Sequence, residues 1–149
     1  MAPTIEQLAR TDVGLASALR LSVARIVRRI RAERDPDNEL STGQLAVLGD
    51  LFREGEQTVG QLAALQRVQP PTMTRAVNQL EQEGYVVRRP SEQDGRCVLV
   101  SLSERGAETL AADRLRRDAW LARELRRLTP DERDVLRRAA PILERLADA

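Results

Sequence analysis

Apolar residues along this chain recur mainly three and four positions apart, and in one short stretch two apart. Over residues 12–34, Leu19, Val23, Ile26, Val27 and Ile30 follow the helical interval, while Arg20, Arg25, Arg28, Arg29 and Arg31 fill other faces. Asp35-Pro36-Asp37-Asn38 ends that helix, because the residue before a proline is pushed away from helical backbone. Residues before it, up to Thr11, read as a loose arm or an added turn. Three later helix starts carry a Ser or Thr whose side chain bonds the first turn, with a Gln or Glu reaching back: Ser41 with Gln44, Thr58 with Gln61, Thr129 with Glu132. They predict helices over residues 41–53, 58–66 and 129–146, the last with Pro130 where its missing N–H is harmless. Pro70-Pro71 opens another helix that runs to about Glu83 and is stopped by Gly84. Residues 103–128 are helical again, and Pro141 is expected to interrupt and kink the final helix.

The period of two appears only after Gly84. Val98, Val100 and Leu102 alternate with Cys97, Leu99 and Ser101, so residues 85–89 and 96–102 read as a hairpin with one packed face. The order is one long helix, three short helices, a hairpin and two long helices. That is a mainly α fold with a small β-wing: a winged helix-turn-helix plus a helical dimerisation region. The expected divisions are residues 1–34 for dimerisation, 35–102 for DNA binding and 103–149 for dimerisation. The flanking apolar stripes are too long for so small a middle domain to cover, and a second copy of the chain is their natural partner.

Composition narrows the chemistry. The 149 residues fit one domain, or one domain with a helical extension. Aromatics are 2% of the chain, so the core must be built from Leu, Val, Ile and Ala. There is no His, which removes the commonest general base and metal ligand, and with it Ser-His-Asp, Cys-His and Cys/His zinc arrangements. The acidic residues sit at charge-pair spacing on helical faces, where solvation is the default role. No catalytic residue, metal or cofactor is expected. The single Cys97 cannot form an internal disulfide. No apolar run is long enough to span a bilayer and no secretory segment is present, so the expectation is a soluble cytoplasmic protein without membrane contact.

The formal net charge is only +1, but the placement of charge matters more than its sum. All the basic residues are Arg, which is either codon bias or a preference for the fork that grips phosphates and base edges. On the helix from Pro70, Met73, Ala76, Val77 and Leu80 share one side. Pro71, Arg75 and Asn78 project the other way, with Thr72, Thr74 and Gln79 on the flanks. Arg suits guanine O6 and N7, Asn suits adenine, and Thr can touch a thymine methyl or a phosphate. Gln69 closes the preceding turn and joins this candidate recognition surface. The helix N-terminus is expected to add a positive dipole toward phosphate, as are the capped starts at Ser41 and Thr58. The bland alternative is an exposed polar face that only meets water.

The hairpin loop, Arg88-Arg89-Pro90-Ser91-Glu92-Gln93-Asp94-Gly95-Arg96, would carry Arg96 toward an adjacent minor groove, where narrow A·T-rich tracts strengthen the negative potential. Arg88, Arg89, Asp94 and Gly95 complete the candidate wing contacts, with Asp94 placed to hold the guanidinium of Arg96 or Arg88. Alternatively Asp94-Gly95 is a plain turn signal.

These residues resemble the MarR family of bacterial transcriptional regulators. The match is the run Leu80-Glu81-x-x-Gly84-Tyr85-Val86-x-Arg88, then Asp94-Gly95-Arg96, then Val98-x-Val100-x-Leu102-Ser103-Glu104-x-Gly106. The resemblance implies a homodimer bound to double-stranded DNA at a pseudo-palindrome, as a repressor, with Asp94 and Arg96 as the acidic–basic wing pair. It also implies a crevice for small aromatic or lipophilic anions, with Phe52 and Trp120 as candidate walls; plain packing is the alternative for both. Cys97 lies on a wing strand rather than near the N-terminus, where the family's redox sensors carry theirs. A protein-interaction scaffold without operator binding is the reading from another class.

Overall fold

The computed structural model describes residues 3–149. Its elements are α1 (Ile5–Leu8), α2 (Asp12–Ala32), α3 (Thr42–Glu54), α4 (Val59–Gln66), α5 (Pro70–Gln82), β1 (Val86–Pro90), β2 (Val98–Leu102), α6 (Glu104–Leu125) and α7 (Pro130–Ala147). All three expected capping boxes form, and a fourth at Thr4 and Gln7 makes the N-terminal arm an added helical turn. Helix α6 starts on Ser103, whose hydroxyl accepts the Gly106 N–H at 3.0 Å. Pro141 does not interrupt α7, which continues through it to Ala147. The carbonyl that loses its partner, on Arg137, belongs to an exposed turn, where water can take over the bond.

The chain divides into two compact units: Asp35–Leu115, and Arg116–Ala149 together with the described residues up to Arg34. The winged unit holds almost the whole core. Leu48, Leu62, Met73, Val77, Leu80 and Val100 are at most 1% exposed. They come from α3, α4, α5 and the wing, so the three short helices and the hairpin share one apolar centre. The first turns of α6 join it through Leu110, and the unit therefore extends past the end of the wing.

In the wing, β1 and β2 are antiparallel with Val86 opposite Leu102, Arg88 opposite Val100 and Pro90 opposite Val98. A further bridge lies outside the expected hairpin. Gln57 and Val100 exchange both backbone bonds, at 3.1 and 2.8 Å, which ties the α3–α4 link to the wing. The expected packed face is realised at Val100, while Val98, nearer the tip, is exposed.

The helical unit is built differently. Among its described residues only Ala18 is a buried hydrophobic. Val13, Leu21, Ile26, Val135, Ile142 and Leu146 are each about half exposed or more.

Candidate nucleic-acid interface

The turn into α5 is held from below. Asp50, buried on α3, accepts from Gln66 at the end of α4 (3.0 Å) and from Arg53 (2.6 Å). Just beyond, Arg67 takes a left-handed backbone, φ 53°, and its N–H caps α4. Asp50 thus fixes where α4 ends and α5 begins. Sequence reasoning missed it, the one local signal being its three-residue spacing from Arg53. Asp50→Ala leaves the half-buried Gln66 amide without its acceptor, while exposed Arg53 turns to water, and should lower stability by about 1–3 kcal/mol, measured by urea unfolding of the full chain.

On α5 the expected sidedness holds. Met73, Val77 and Leu80 are buried, while Pro71, Thr72, Thr74, Arg75, Asn78 and Gln79 are exposed. Two polar groups are already committed. The Thr74 hydroxyl donates to the Pro70 carbonyl at 2.9 Å, which leaves its methyl and oxygen lone pairs for an outside contact. The N–H groups of Thr72 and Met73 both bond the Gln69 carbonyl, at 3.0 and 3.2 Å, and Pro70 and Pro71 have none. The expected phosphate contact at the α5 N-terminus therefore lacks free donors; only its dipole remains. At Ser41 and Thr58 the backbone N–H goes to Gln44 or Gln61 (2.8 Å each), and each hydroxyl accepts a first-turn N–H (3.1 Å each). The N–H groups of Thr42 and Gly43 on α3, and of Val59 and Gly60 on α4, precede the first intrahelical bonds, and with the two hydroxyl protons they are the donors left for a phosphate.

The wing tip is built by backbone bonds. Ser91 donates to the Cys97 carbonyl and Cys97 to that of Asp94, at 2.8 and 2.9 Å. Asp94 does not hold a guanidinium. Its Oδ1 accepts the Arg96 backbone N–H at 3.0 Å, and Cys97 Sγ lies 3.8 Å from Oδ2. The short Asp side chain reaches the backbone two residues on before it can reach the end of an arginine. Gly95 sits exposed beside Arg96 without a positive φ.

The arginines divide into engaged and free. Arg89 forms a forked pair with Glu56, with Nε–Oε1 at 2.7 Å. The hydrogen bond from Arg89 holds the Glu56 carboxyl below its ordinary pKa, and the same bond raises that of Arg89. Arg88 turns onto α5 and donates to Glu81 (2.9 Å) and Asn78 (2.7 Å). Arg75 and Arg96 have no side-chain partner among the described residues and are both exposed. One lies on the outer face of α5, the other at the wing tip.

The two aromatic candidates lie in different units. Phe52 is 60% exposed, with the Arg114 guanidinium 4.2 Å from its ring centroid. Trp120 has Arg29 at 5.4 Å and lines a cavity of about 630 Å³ with Ser22, Arg25, Ile26, Arg28, Arg29 and Ala32. Among the described residues no cluster of acidic residues and cysteine has metal-ligand geometry, and no helix is long and apolar enough to cross a membrane.

Residues 40–98, from the first buried leucine of the winged unit to the second wing strand, match the MarR family. An HTH-type transcriptional regulator of Mycobacterium tuberculosis is 46% identical over 138 residues, 93% of this chain and 96% of that protein. The chain belongs to the MarR family. The HTH-type transcriptional repressor MdtR of Bacillus subtilis is 31% identical, over 91% of this chain and 87% of its own. A MarR family protein from Bacillus stearothermophilus shares the fold with a TM-score of 0.81 and 25% identity, covering 99% of this chain and 100% of that one. As a MarR protein the chain is a DNA-binding, winged helix-turn-helix transcriptional regulator. In that winged helix-turn-helix, α5 is the helix that follows the α4–α5 turn, and the β1–β2 hairpin is the wing.

Proposed function

We propose that this MarR protein is a homodimeric repressor that occupies a pseudo-palindromic operator. The observation that carries the reading is the freedom of Arg75 and Arg96. Both guanidinium groups are exposed and, among the described residues, unclaimed, on the outer face of α5 and at the wing tip, while neighbouring Arg88 and Arg89 are neutralised. Arg75, Asn78, Thr72, Thr74, Pro71 and Gln69 meet the major groove. Arg96, with Gly95 and Asp94 shaping the tip, meets the adjacent minor groove, and Ser41 and Thr58 meet phosphate. Dimerisation follows from the helical unit, where Ala18 is the only buried hydrophobic among the described residues and the apolar faces are left for a second copy. Two recognition helices related by a two-fold axis then enter major grooves about 34–36 Å apart. Repression is the action named for the Bacillus subtilis relative, and occupation of a promoter excludes polymerase by the same geometry.

Sequencing the genomic fragments retained by the purified protein tests this directly. The expected result is a two-fold symmetric site with half-sites about 10 base pairs apart, bound by a dimer in sedimentation, with affinity falling steeply as salt rises. A protein without salt-sensitive DNA affinity would instead be an interaction scaffold.

A ligand switch is favoured by the cavity beside Trp120. Its wall combines an aromatic ring and Ile26 with three guanidinium groups, the surroundings a small lipophilic or aromatic anion requires. Phe52, exposed beneath Arg114 in the winged unit, does not line this cavity. Such an effector releases DNA only by the difference in its affinity for the two states. Screening phenolic carboxylates in the DNA-release assay should find one whose effect disappears in Trp120→Ala; an unresponsive complex would refute the switch.

A further inference from the structure

We propose that Arg88, although it lies on the wing, serves DNA reading as a positioning residue for Asn78, and that it denies cytosine the base position Asn78 meets. The inference rests on the reading of α5 as the recognition helix and adds its specificity rule. Arg88 Nη2 donates to Asn78 Oδ1 at 2.7 Å, and its Nη1 donates to Glu81 Oε2 at 2.9 Å, one turn along the same helix face. The Arg88 side chain is only 25% exposed, so water competes for these bonds less than at the wing tip.

A guanidinium carries donors and no acceptor. The atom of Asn78 that faces it must therefore be the carboxamide oxygen, which removes the usual ambiguity in amide orientation. With the oxygen held toward the wing, the NH₂ group is the edge that Asn78 turns elsewhere. Purine N7, guanine O6 and thymine O4 accept from such a donor. Cytosine offers the major groove an N4–H₂ donor instead. A free asparagine rotates by half a turn and accepts from cytosine; one held by Arg88 must first break a charge-assisted bond. Glu81 prevents the same evasion from the other side, since it holds the guanidinium in place. The charge of Arg88 is spent within the protein, which separates its role from the phosphate-directed one of Arg96.

The test uses the full-length protein and a fragment retained by the wild type, with each half-site position changed in turn to all four bases. Gel-shift titration should show wild type rejecting cytosine at the Asn78 position by about five- to one-hundred-fold. Arg88→Ala should bring cytosine close to parity there, with other positions and the salt slope unchanged. Asn78→Asp keeps the bond to Arg88 as an ion pair but has only acceptors, so its preference should switch to cytosine. That variant confirms which base pair residue 78 meets; if Arg88→Ala fails to fold, Arg88→Met, which keeps the side-chain length without the donors, decides the matter by the same gain of cytosine. Uniform weakening of all fragments by Arg88→Ala, with a salt slope smaller by about one, would make Arg88 a phosphate contact and overturn the proposal. An Asn78→Asp protein with wild-type base preference would overturn it too. Absence of any retained fragment would defeat the recognition-helix reading itself, and this inference with it.

Discussion

Gly106→Ala should lower stability by about 3 kcal/mol and the melting temperature by about 10 °C, because the added methyl has nowhere to go. A Cβ built on Gly106 would lie 2.0 Å from the Tyr85 carbonyl oxygen and 3.0 Å from its carbon. A side chain in that position could rotate away, but a backbone carbonyl cannot. This carbonyl also accepts the Ser103 N–H at 3.1 Å, and the Ser103 hydroxyl donates to the Gly84 carbonyl at 2.5 Å while accepting from Gly106. Shifting Tyr85 would therefore loosen the start of the wing, its last strand and the first turn of α6 together. Arg105 adds to the load on the same corner: it donates to the Glu83 carbonyl at 2.5 Å and to the Tyr85 hydroxyl at 3.2 Å, above whose ring it lies. Far-UV circular dichroism on heating measures the effect. An unchanged melting temperature would mean that helix and strand separate here without loss, and that the junction does not hold the wing.

Gly106 illustrates what sequence reading can and cannot supply. The residue belongs to the run that resembles the MarR family, yet nothing in the pattern says why glycine is needed there. The reason is an approach between an α6 residue and a carbonyl twenty-one positions earlier. Local features were legible for the opposite reason. A capping box joins residues three apart, and the sidedness of α5 follows from helical geometry alone, so Ser41, Thr58, Thr129 and the Met73–Val77–Leu80 face were readable without the fold. The Gln57–Val100 bridge is a single pair with no alternation around Gln57 to announce it. The Asp50–Gln66 bond joins two helices. The commitments of Arg88 and Arg89 depend on where the hairpin lies against α5 and the α3–α4 link, so composition showed basic residues without showing which remained free. Asp94 lies two residues from Arg96 in sequence, yet that proximity does not bring its carboxylate to the guanidinium. The closest donor to a short carboxylate is the backbone two residues on. The missing donors at the start of α5 are legible as two prolines, since an anion is gripped by N–H groups as well as attracted by a field.

Arg75→Ala and Arg96→Ala should both weaken operator binding, and they should do so in different ways. Arg75 stands on the exposed face of α5 with an unclaimed fork, and a fork of that kind meets guanine O6 and N7 together. Its removal should cost about 1–3 kcal/mol per contact and relax preference at one base pair in each half-site, while the salt slope stays near that of wild type. Arg96 projects from a tip whose backbone is fixed by Ser91 and Asp94, with no ion-pair partner for its guanidinium among the described residues. A groove of strong negative potential attracts it mainly as a charge, so Arg96→Ala should weaken all fragments alike and make the salt slope shallower by about one for each subunit. Gel shifts at two salt concentrations, on the parent site and on single-base variants, separate the two behaviours. Arg89→Ala is the internal control. Its guanidinium is already satisfied by Glu56, so it should change affinity far less than either. Wild-type affinity in both Arg75→Ala and Arg96→Ala would remove α5 and the wing tip as the DNA-reading surfaces. A loss in Arg89→Ala equal to theirs would show that the Glu56 pair opens on DNA, and that arginines engaged in the free protein are recruited when it binds.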